Sequence, residues 1–363
     1  MTKFIFFSKT MYSETPRIRH QLADLLVSYG HEVVFYQKPL FFFEHRNKLI
    51  NQKISNNLTI KQTKQFLHHQ LRLFGLLSYL NSSYEVQQIT PSLGDIDESD
   101  VIINFNYDYD FLRNIFKKNK IITLINDDFV AQSKFNKGKH ALQYLSNTVK
   151  MSDITLTVSY PLFAQASEFS KSVQMFLPWS KDKYSEPVKS SRNTVLLWAH
   201  IDKRIDFELV EDMLSKNSKF FFHFVGPVSE ENLILVSKLK ERYSNLILYP
   251  ASSLEDLPLN TYFSSIIPYK AGVLDIEAVT ASNKTFQLLS KGLPLVTYGM
   301  PSFFEHESIF KAKSYKEFSG FINKAYEDFE SLQPSIKELV NKQQPAQRYE
   351  QIMSIINEEK YNV

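Results

Sequence analysis

The sequence predicts an α/β fold built from two doubly wound domains. Three observations carry this expectation. Short apolar strand candidates alternate with helical stretches from end to end, the pattern of parallel sheets joined by helical crossovers. A polar stretch without periodicity, 178–194 (PWSKDKYSEPVKSSRNT), divides the alternation into two runs and reads as a linker. The 363 residues also exceed what one hydrophobic core usually serves.

In the first run, strands are expected at 3–7 (KFIFF), 31–36 (HEVVFY), 100–105 (DVIINF), 120–125 (KIITLI) and 153–158 (DITLTV). A helix is expected over 16–29, with Pro16 in its first turn and Gly30 ending it. In the second run, strands are expected at 194–199, 220–225, 246–249, 264–269 and 293–298. Helices are expected near 206–216, 229–242, 283–291 and 314–328. A last helix, about 346–359, fits either domain, including one that packs back on the first. The expected domains are therefore 1–180 and 193–345, followed by the helical segment 346–363. Both read as Rossmann-like, facing across a cleft between the carboxyl ends of their strands, where open α/β sheets bind ligands.

Composition narrows the function. The chain is 43% hydrophobic, with 30 Phe and 19 Tyr, enough apolar material for two cores. The net charge is +3 with no long charge block, so no nucleic-acid partner is expected. There is no Cys, which excludes disulfides and thiolate metal sites and fits a cytoplasmic protein. The N-terminus reads as a first strand rather than a signal peptide, and no apolar run is long enough to span a membrane. The closest two of the nine glycines, Gly292 and Gly299, are seven residues apart. That spacing excludes G-x-G-x-x-G, Walker A and G-x-S-x-G loops. No H-E-x-x-H occurs. A phosphate site would have to use helix N-termini and basic side chains.

One stretch fits that description. In 282–296 (SNKTFQLLSKGLPLV), Ser282 and Asn283 read as a helix start, and Lys284 falls in the first turn. A cation there opposes the helix dipole by about 0.3–1 kcal/mol unless an anion offsets it. Lys203 and Arg204, in the loop after the strand at 194–199, would join Lys284 around a diphosphate. The alternative is a solvated lysine on a surface helix.

The order strand, polar loop, SNKTFQLLSKGLPLV resembles the signature of bacterial GT-B glycosyltransferases of the family-4-like type, and most closely the TuaH-like subgroup. PRIRHQLADLLVSYGHEVVFYQKP (16–39) is similar to that family's first helix and second strand. INDDFV (125–130), MSDITLTVSYPL (151–162), IDKRIDFELV (201–210) and FHFVGP (222–227) are similar to further elements in the same order. The resemblance implies a GT-B fold. Its C-terminal domain would bind a nucleoside diphosphate sugar as co-substrate, and its N-terminal domain an acceptor glycan or lipid-linked glycan. It implies that Lys203, Arg204, Asn283 and Lys284 hold the diphosphate. Gln287 stands where the family usually has a ribose-binding Glu. Tyr249 and Ser252 fall in the nucleobase loop, and Asp275 and Glu277 face the donor sugar, although Val279 breaks the usual E-x7-E spacing.

Asp127 and Asp128 end a strand of the first domain. One of them could serve an acceptor hydroxyl as general base, or the pair could cap a helix. His20, on the first helix beside Arg17 and Arg19, is the next candidate. YDYDF (107–111) mimics the D-x-D metal motif of the other glycosyltransferase fold, but Asp108 and Asp110 are expected to cap the following helix, so no metal and no further cofactor is expected. Segments 38–48 and 64–80 join aromatic to basic residues. They read either as a surface touching the inner face of the membrane or as packing elements with a basic edge. The implied activity is metal-independent transfer of a hexose to a bacterial surface glycan. A nucleotide-sugar epimerase of the same fold, or a non-catalytic donor-binding subunit, would fit the same motifs.

Overall fold

The computed structural model describes residues 1–14, 16–41, 50–67, 75–133, 138–188, 192–282 and 284–357. The chain divides into two compact units, Met1–Leu177 with Arg348–Val363, and Pro178–Gln347. Expected segments 38–48 and 64–80 fall partly outside the described residues.

The first unit contains β1 (Lys3–Phe7), α1 (Ile18–Ser28), β2 (Glu32–Phe41), β3 (Asn51–Ser55), β4 (Leu58–Gln65), α2 (Gly75–Ser92) and β5 (Val101–Asn104). It continues with α3 (Leu112–Ile115), β6 (Lys120–Ile125), α4 (Gly138–Met151), β7 (Ile154–Thr157), α5 (Tyr160–Ser167) and β8 (Val173–Met175). The sheet order is β3-β4-β2-β1-β5-β6-β7-β8, parallel except for the antiparallel β3–β4 pair. Its central strands are apolar on both faces because helices cover both. Alternation along β1 sends Ile5 and Phe7 into one core with Tyr36, Ile89, Ile102 and Phe116. Phe6 faces the other way and packs against Phe35 and Phe105 at ring-centroid distances of 5.8 and 5.6 Å.

The second unit runs through β9 (Thr194–Trp198), α6 (Phe207–Lys216), β10 (Phe221–Val225), α7 (Leu233–Arg242), β11 (Leu246–Tyr249) and β12 (Tyr262–Pro268). It then forms α8 (Leu274–Glu277), α9 (Thr285–Ser290), β13 (Leu295–Tyr298), β14 (Ile309–Lys311), α10 (Tyr315–Glu327) and α11 (Phe329–Lys342). The last helix, α12 (Pro345–Asn357), carries the chain back to the first unit. The second sheet is all parallel, in the order β11-β10-β9-β12-β13-β14. This is the doubly wound dinucleotide-fold order, and its direction reverses between β9 and β12. Helix starts follow local chemistry. Asp206 caps α6 by accepting from the Leu209 N–H at 3.1 Å, and Ser314 caps α10 by accepting from Glu317 at 3.2 Å.

Among the described residues of the expected linker, only Thr194, the first residue of β9, has regular secondary structure, and the stretch packs as part of the second unit. The Ser185 N–H donates to the Ser290 carbonyl (2.8 Å), Asp182 pairs with Lys291 (2.9 Å), and the Tyr184 hydroxyl donates to Gln333 (2.9 Å). Buried Arg192 donates to the Leu259 carbonyl at 3.0 Å.

Candidate functional site

In the second unit, a pocket of about 250 Å³ opens at the carboxyl ends of β9 and β12, the topological switch point. Leu197, Ile205, Ile266, Pro268, Val279, Leu288 and Met300 give it apolar walls; Trp198, His200, Arg204, Tyr269, Ser282 and Lys284 add polar or aromatic groups. Two glycines let the neighbouring loops come this close. A Cβ on Gly226 (φ +147°) would stand 1.9 Å from the Ala199 carbonyl oxygen, and one on Gly299 (φ +76°) 2.3 Å from that of Tyr269.

Lys284 is the N-cap of α9, which has six residues and begins slightly later than the sequence suggested. Ser282 and Thr285 make the local turn: the Ser282 N–H donates to Thr285 Oγ1 at 2.9 Å. The Lys284 ammonium turns to the end of β9. Its Nζ donates to the Trp198 carbonyl at 3.1 Å and lies 5.2 Å from the indole centroid. Burial, reinforced by the charge of Arg204 and opposed by Asp202, pulls its pKa down to about 8.

Arg204 is held by Asp202, whose carboxylate accepts from its Nε (2.9 Å), its Nη2 (2.7 Å) and its backbone N–H (3.0 Å). Burial pushes Asp202 up, but these bonds and one with His200 Nδ1 (3.0 Å) hold it well below the usual carboxylate range. Arg204 also lies over the Tyr269 ring, 5.7 Å from its centroid. Trp198 links this centre to the loop after β11 by donating from its indole nitrogen to the Ser252 carbonyl at 2.9 Å.

The structure therefore brings Arg204 and Lys284 to one pocket and ties the Ser252 loop to its wall. Lys203 is exposed and does not line it. Gln287 and Glu277 are half-buried and also lie outside the lining; Tyr249 is exposed and packs at a tilt against His223, with ring centroids 4.9 Å apart. Asn283 lies outside the described residues, as does the side chain of Asp275, whose backbone is in α8. Sequence reading missed Trp198, Asp202 and Tyr269. Their signal was positional, since Trp198 and Tyr269 fall at the carboxyl ends of the two switch-point strands.

In the first unit, a second pocket of about 280 Å³ lies at the equivalent switch point, beyond β1 and β5. Asp127 lines it, with Lys9, Arg17, Arg19, Lys38, Asn106 and Tyr107. Asp127 Oδ2 is 3.9 Å from Arg19 Nη2. Asp128 is spent on a turn: its Oδ1 accepts from the Ala131 N–H at 2.8 Å. His20 is only 2% exposed. Its Nδ1 accepts from the Arg17 N–H (3.0 Å), its Nε2 donates to the Met11 carbonyl (3.2 Å), and burial lowers its pKa. One ring nitrogen thus holds the start of α1 and the other the loop before it, which leaves no free ring nitrogen for proton transfer.

The expected capping by YDYDF is corrected. The N-cap of α3 is Phe111, with no side-chain cap. Asp108 pairs with Lys9, and Asp110 accepts from Asn147 at 3.2 Å. The Lys9 and Asn147 side chains reach these carboxylates first. Among the described residues no cluster of three or more His, Asp or Glu could hold a metal ion, and no helix is long and apolar enough to cross a membrane.

No protein-family model matches the sequence, and no curated protein matches it. Solved structures do. The chain is similar to the apo form of the lipopolysaccharide outer core galactosyltransferase WaaB (12% identity, 99% of this chain and 100% of that one, TM-score 0.67). It is similar to WaaG, a glycosyltransferase involved in lipopolysaccharide biosynthesis (14%, 98% and 99%, TM-score 0.63). It is also similar to Anabaena HepE in complex with UDP-glucose (9%, 100% of each chain, TM-score 0.67). The fold is therefore GT-B: α/β, with two parallel-sheet, Rossmann-like domains.

Proposed function

We propose that this chain is a glycosyltransferase of the family-4-like, TuaH-like kind. It would move one hexose from a nucleoside diphosphate sugar to a hydroxyl of a bacterial surface glycan or its lipid-linked precursor. The observation that carries this reading is the switch-point pocket of the second unit, where an ammonium and a guanidinium share an apolar-walled cavity at strand carboxyl ends. Low local polarity strengthens both charges toward a diphosphate. Neighbours of the same fold support the choice of ligand, since HepE is held with UDP-glucose and WaaB is a galactosyltransferase.

In the reaction, the bond between the anomeric carbon and the diphosphate oxygen breaks, and the acceptor oxygen bonds to that carbon. Lys284 and Arg204 stabilise the negative charge on the departing diphosphate. Asp202 fixes the Arg204 fork, and the Trp198–Ser252 bond steadies the loop assigned to the nucleobase. Gln287 can still hydrogen-bond ribose hydroxyls. Asp127 is assigned to the acceptor hydroxyl, as proton acceptor or as orienting group. Asn283, Asp275 and Glu277 keep the donor roles that the resemblance gives them. This reading needs no metal and no further cofactor, and puts the protein in the cytoplasm, touching the inner face of the membrane when its acceptor is lipid-linked.

Product analysis with a panel of nucleoside diphosphate sugars tests the reading. A new glycoside, formed also in excess EDTA, is expected. A new epimer would make the protein an epimerase, and tight UDP binding without any product would make it a donor-binding subunit.

A further inference from the structure

The first unit's pocket holds an excess of positive charge that the transfer reaction does not use. Among the described lining residues, Lys9, Arg17, Arg19 and Lys38 stand against one carboxylate, Asp127. Lys9 is paired with Asp108 behind the pocket. Arg17 and Lys38 are exposed at its rim, with Arg17 only loosely paired to Glu14 at 3.9 Å.

Arg19 is the unusual member. It is 5% exposed, so its guanidinium has lost most of its water. Its Nη1 donates to the neutral hydroxyls of Ser8 (3.3 Å) and Thr10. The carboxylate of Asp127 stands at 3.9 Å, beyond a close bidentate pair, and Arg19 Nε has no hydrogen-bond partner among the described residues. Buried guanidinium groups are ordinarily matched by a carboxylate or phosphate in fork geometry. Here the match is incomplete.

Building on the glycosyltransferase reading, we propose that this pocket takes an anionic substituent, a carboxylate or phosphate on the acceptor sugar. Arg19 supplies the inner charge, and Arg17 and Lys38 close over the group from the rim. The volume of about 280 Å³ is at the small end of ligand pockets, so one charged sugar ring is the unit recognised. Asp127 shares the pocket and meets the hydroxyls of that ring, and its own charge rejects anions placed on its side.

The test is direct binding to the full-length protein, followed by calorimetry and NMR, with glucuronic acid, glucose 6-phosphate and uncharged glucose as probes. One or both charged sugars should bind at least about tenfold tighter than glucose, and the more favoured of the two identifies the anion. The Arg17→Ala/Lys38→Ala double variant should lose most of that preference, bringing the charged sugar to within about two- to threefold of glucose, as removing two charge-assisted contacts predicts. Both side chains are exposed, so the variant should fold, and its affinity for UDP in the second unit should be unchanged. Arg19→Lys, which keeps the charge and loses the fork, should reduce the preference without abolishing it. Equal affinity for charged and uncharged sugars, no detectable binding of either charged sugar at tens of millimolar, or full preference in the double variant would each overturn the inference. None of these readouts depends on transfer. A protein that binds charged sugars yet forms no glycoside would instead count against the glycosyltransferase reading alone.

Discussion

Lys284 carries its charge in a half-buried, largely apolar pocket, and that position makes it titrate near neutrality. Its pKa falls from the ordinary lysine value of 10.5 to about 8 through burial, aided by Arg204. The folded value lies below the unfolded one. Between about pH 8 and 10.5 the unfolded chain therefore keeps a proton that the folded chain has lost, so this residue makes the protein more stable as pH rises through that window. Diphosphate binding needs the charged form. We therefore expect UDP affinity to weaken as pH rises above about 8, and binding near that pH to take up roughly half a proton. Calorimetry in buffers of different ionisation enthalpy measures that uptake, and Lys284→Arg should abolish it. Lys284→Ala should weaken UDP binding by roughly 1–3 kcal/mol; wild-type affinity would remove Lys284 from the anion site. The two aspartates should also separate. Asp127→Asn should slow transfer by about 10²–10⁴ with UDP affinity near wild type. Asp128→Asn loses one turn bond and should leave turnover nearly intact. Equal turnover in both variants would show that neither carboxylate serves the acceptor.

At the scale of elements, the legible part of the fold was its buried, regular part. β1 and β6 match the expected bounds because each is a short apolar run buried on both faces, and β11 matches because its short apolar run is set between Asn245 and Pro250. The β3–β4 edge of the first sheet was not legible. Every residue of β3 (NQKIS) is exposed, so no apolar pattern marks it. In β4 the buried positions include Gln62 and Gln65, polar residues that no hydrophobic period detects; Gln62 belongs there because its amide donates to the Lys38 carbonyl at 2.8 Å. The helix α11 was hidden by Pro334 within it. In the candidate site, Lys284 and Arg204 were legible as charges near strand ends, but the Asp202 clamp was not, because it depends on a loop bending back on itself. The strand-end glycines give an element-scale test. Gly226→Ala and Gly299→Ala each force a side chain onto a carbonyl 1.9 or 2.3 Å away at positive φ. Each should cost at least about 1–3 kcal/mol and loosen the pocket, lowering both the denaturation midpoint and UDP affinity. Gly320, inside α10 with open space around it, is the control. Gly320→Ala should stabilise by about 0.5–1 kcal/mol.

At the scale of the whole molecule, α12 raises a question that local sequence leaves open: why the chain returns to the first unit after completing the second. The first sheet ends at β8, a three-residue edge strand. An open edge offers unpaired backbone groups to other chains. α12 covers those next to β8: Gln351 Nε2 donates to the Met175 carbonyl at 2.8 Å, and Arg348 Nε to the Leu177 carbonyl at 2.9 Å. Tyr349 stacks on Tyr29 with centroids 3.7 Å apart, and its hydroxyl meets His31 Nε2 at 2.9 Å. Lys120 reaches the Ile355 carbonyl, and Ile352 and Ile355 are fully or nearly fully buried. The helix therefore acts both as a cover for the edge and as part of the core. Arg348 is buried enough that its pKa falls to about 10, so its bonds cannot simply be exchanged for water. Arg348→Ala should then cost about 1.5–3 kcal/mol, the range for a charge-assisted hydrogen bond. Deleting 345–363 should cost far more, and should also free the β8 edge. We expect that truncated protein to melt at a lower temperature and to self-associate, by light scattering, at concentrations where the full chain is monodisperse. The pocket holding Lys284 lies in the other unit, so Arg348→Ala, which keeps the fold, should bind UDP as the full chain does. A truncated chain that melts and scatters like the intact one would mean that the β8 edge is protected by something other than α12.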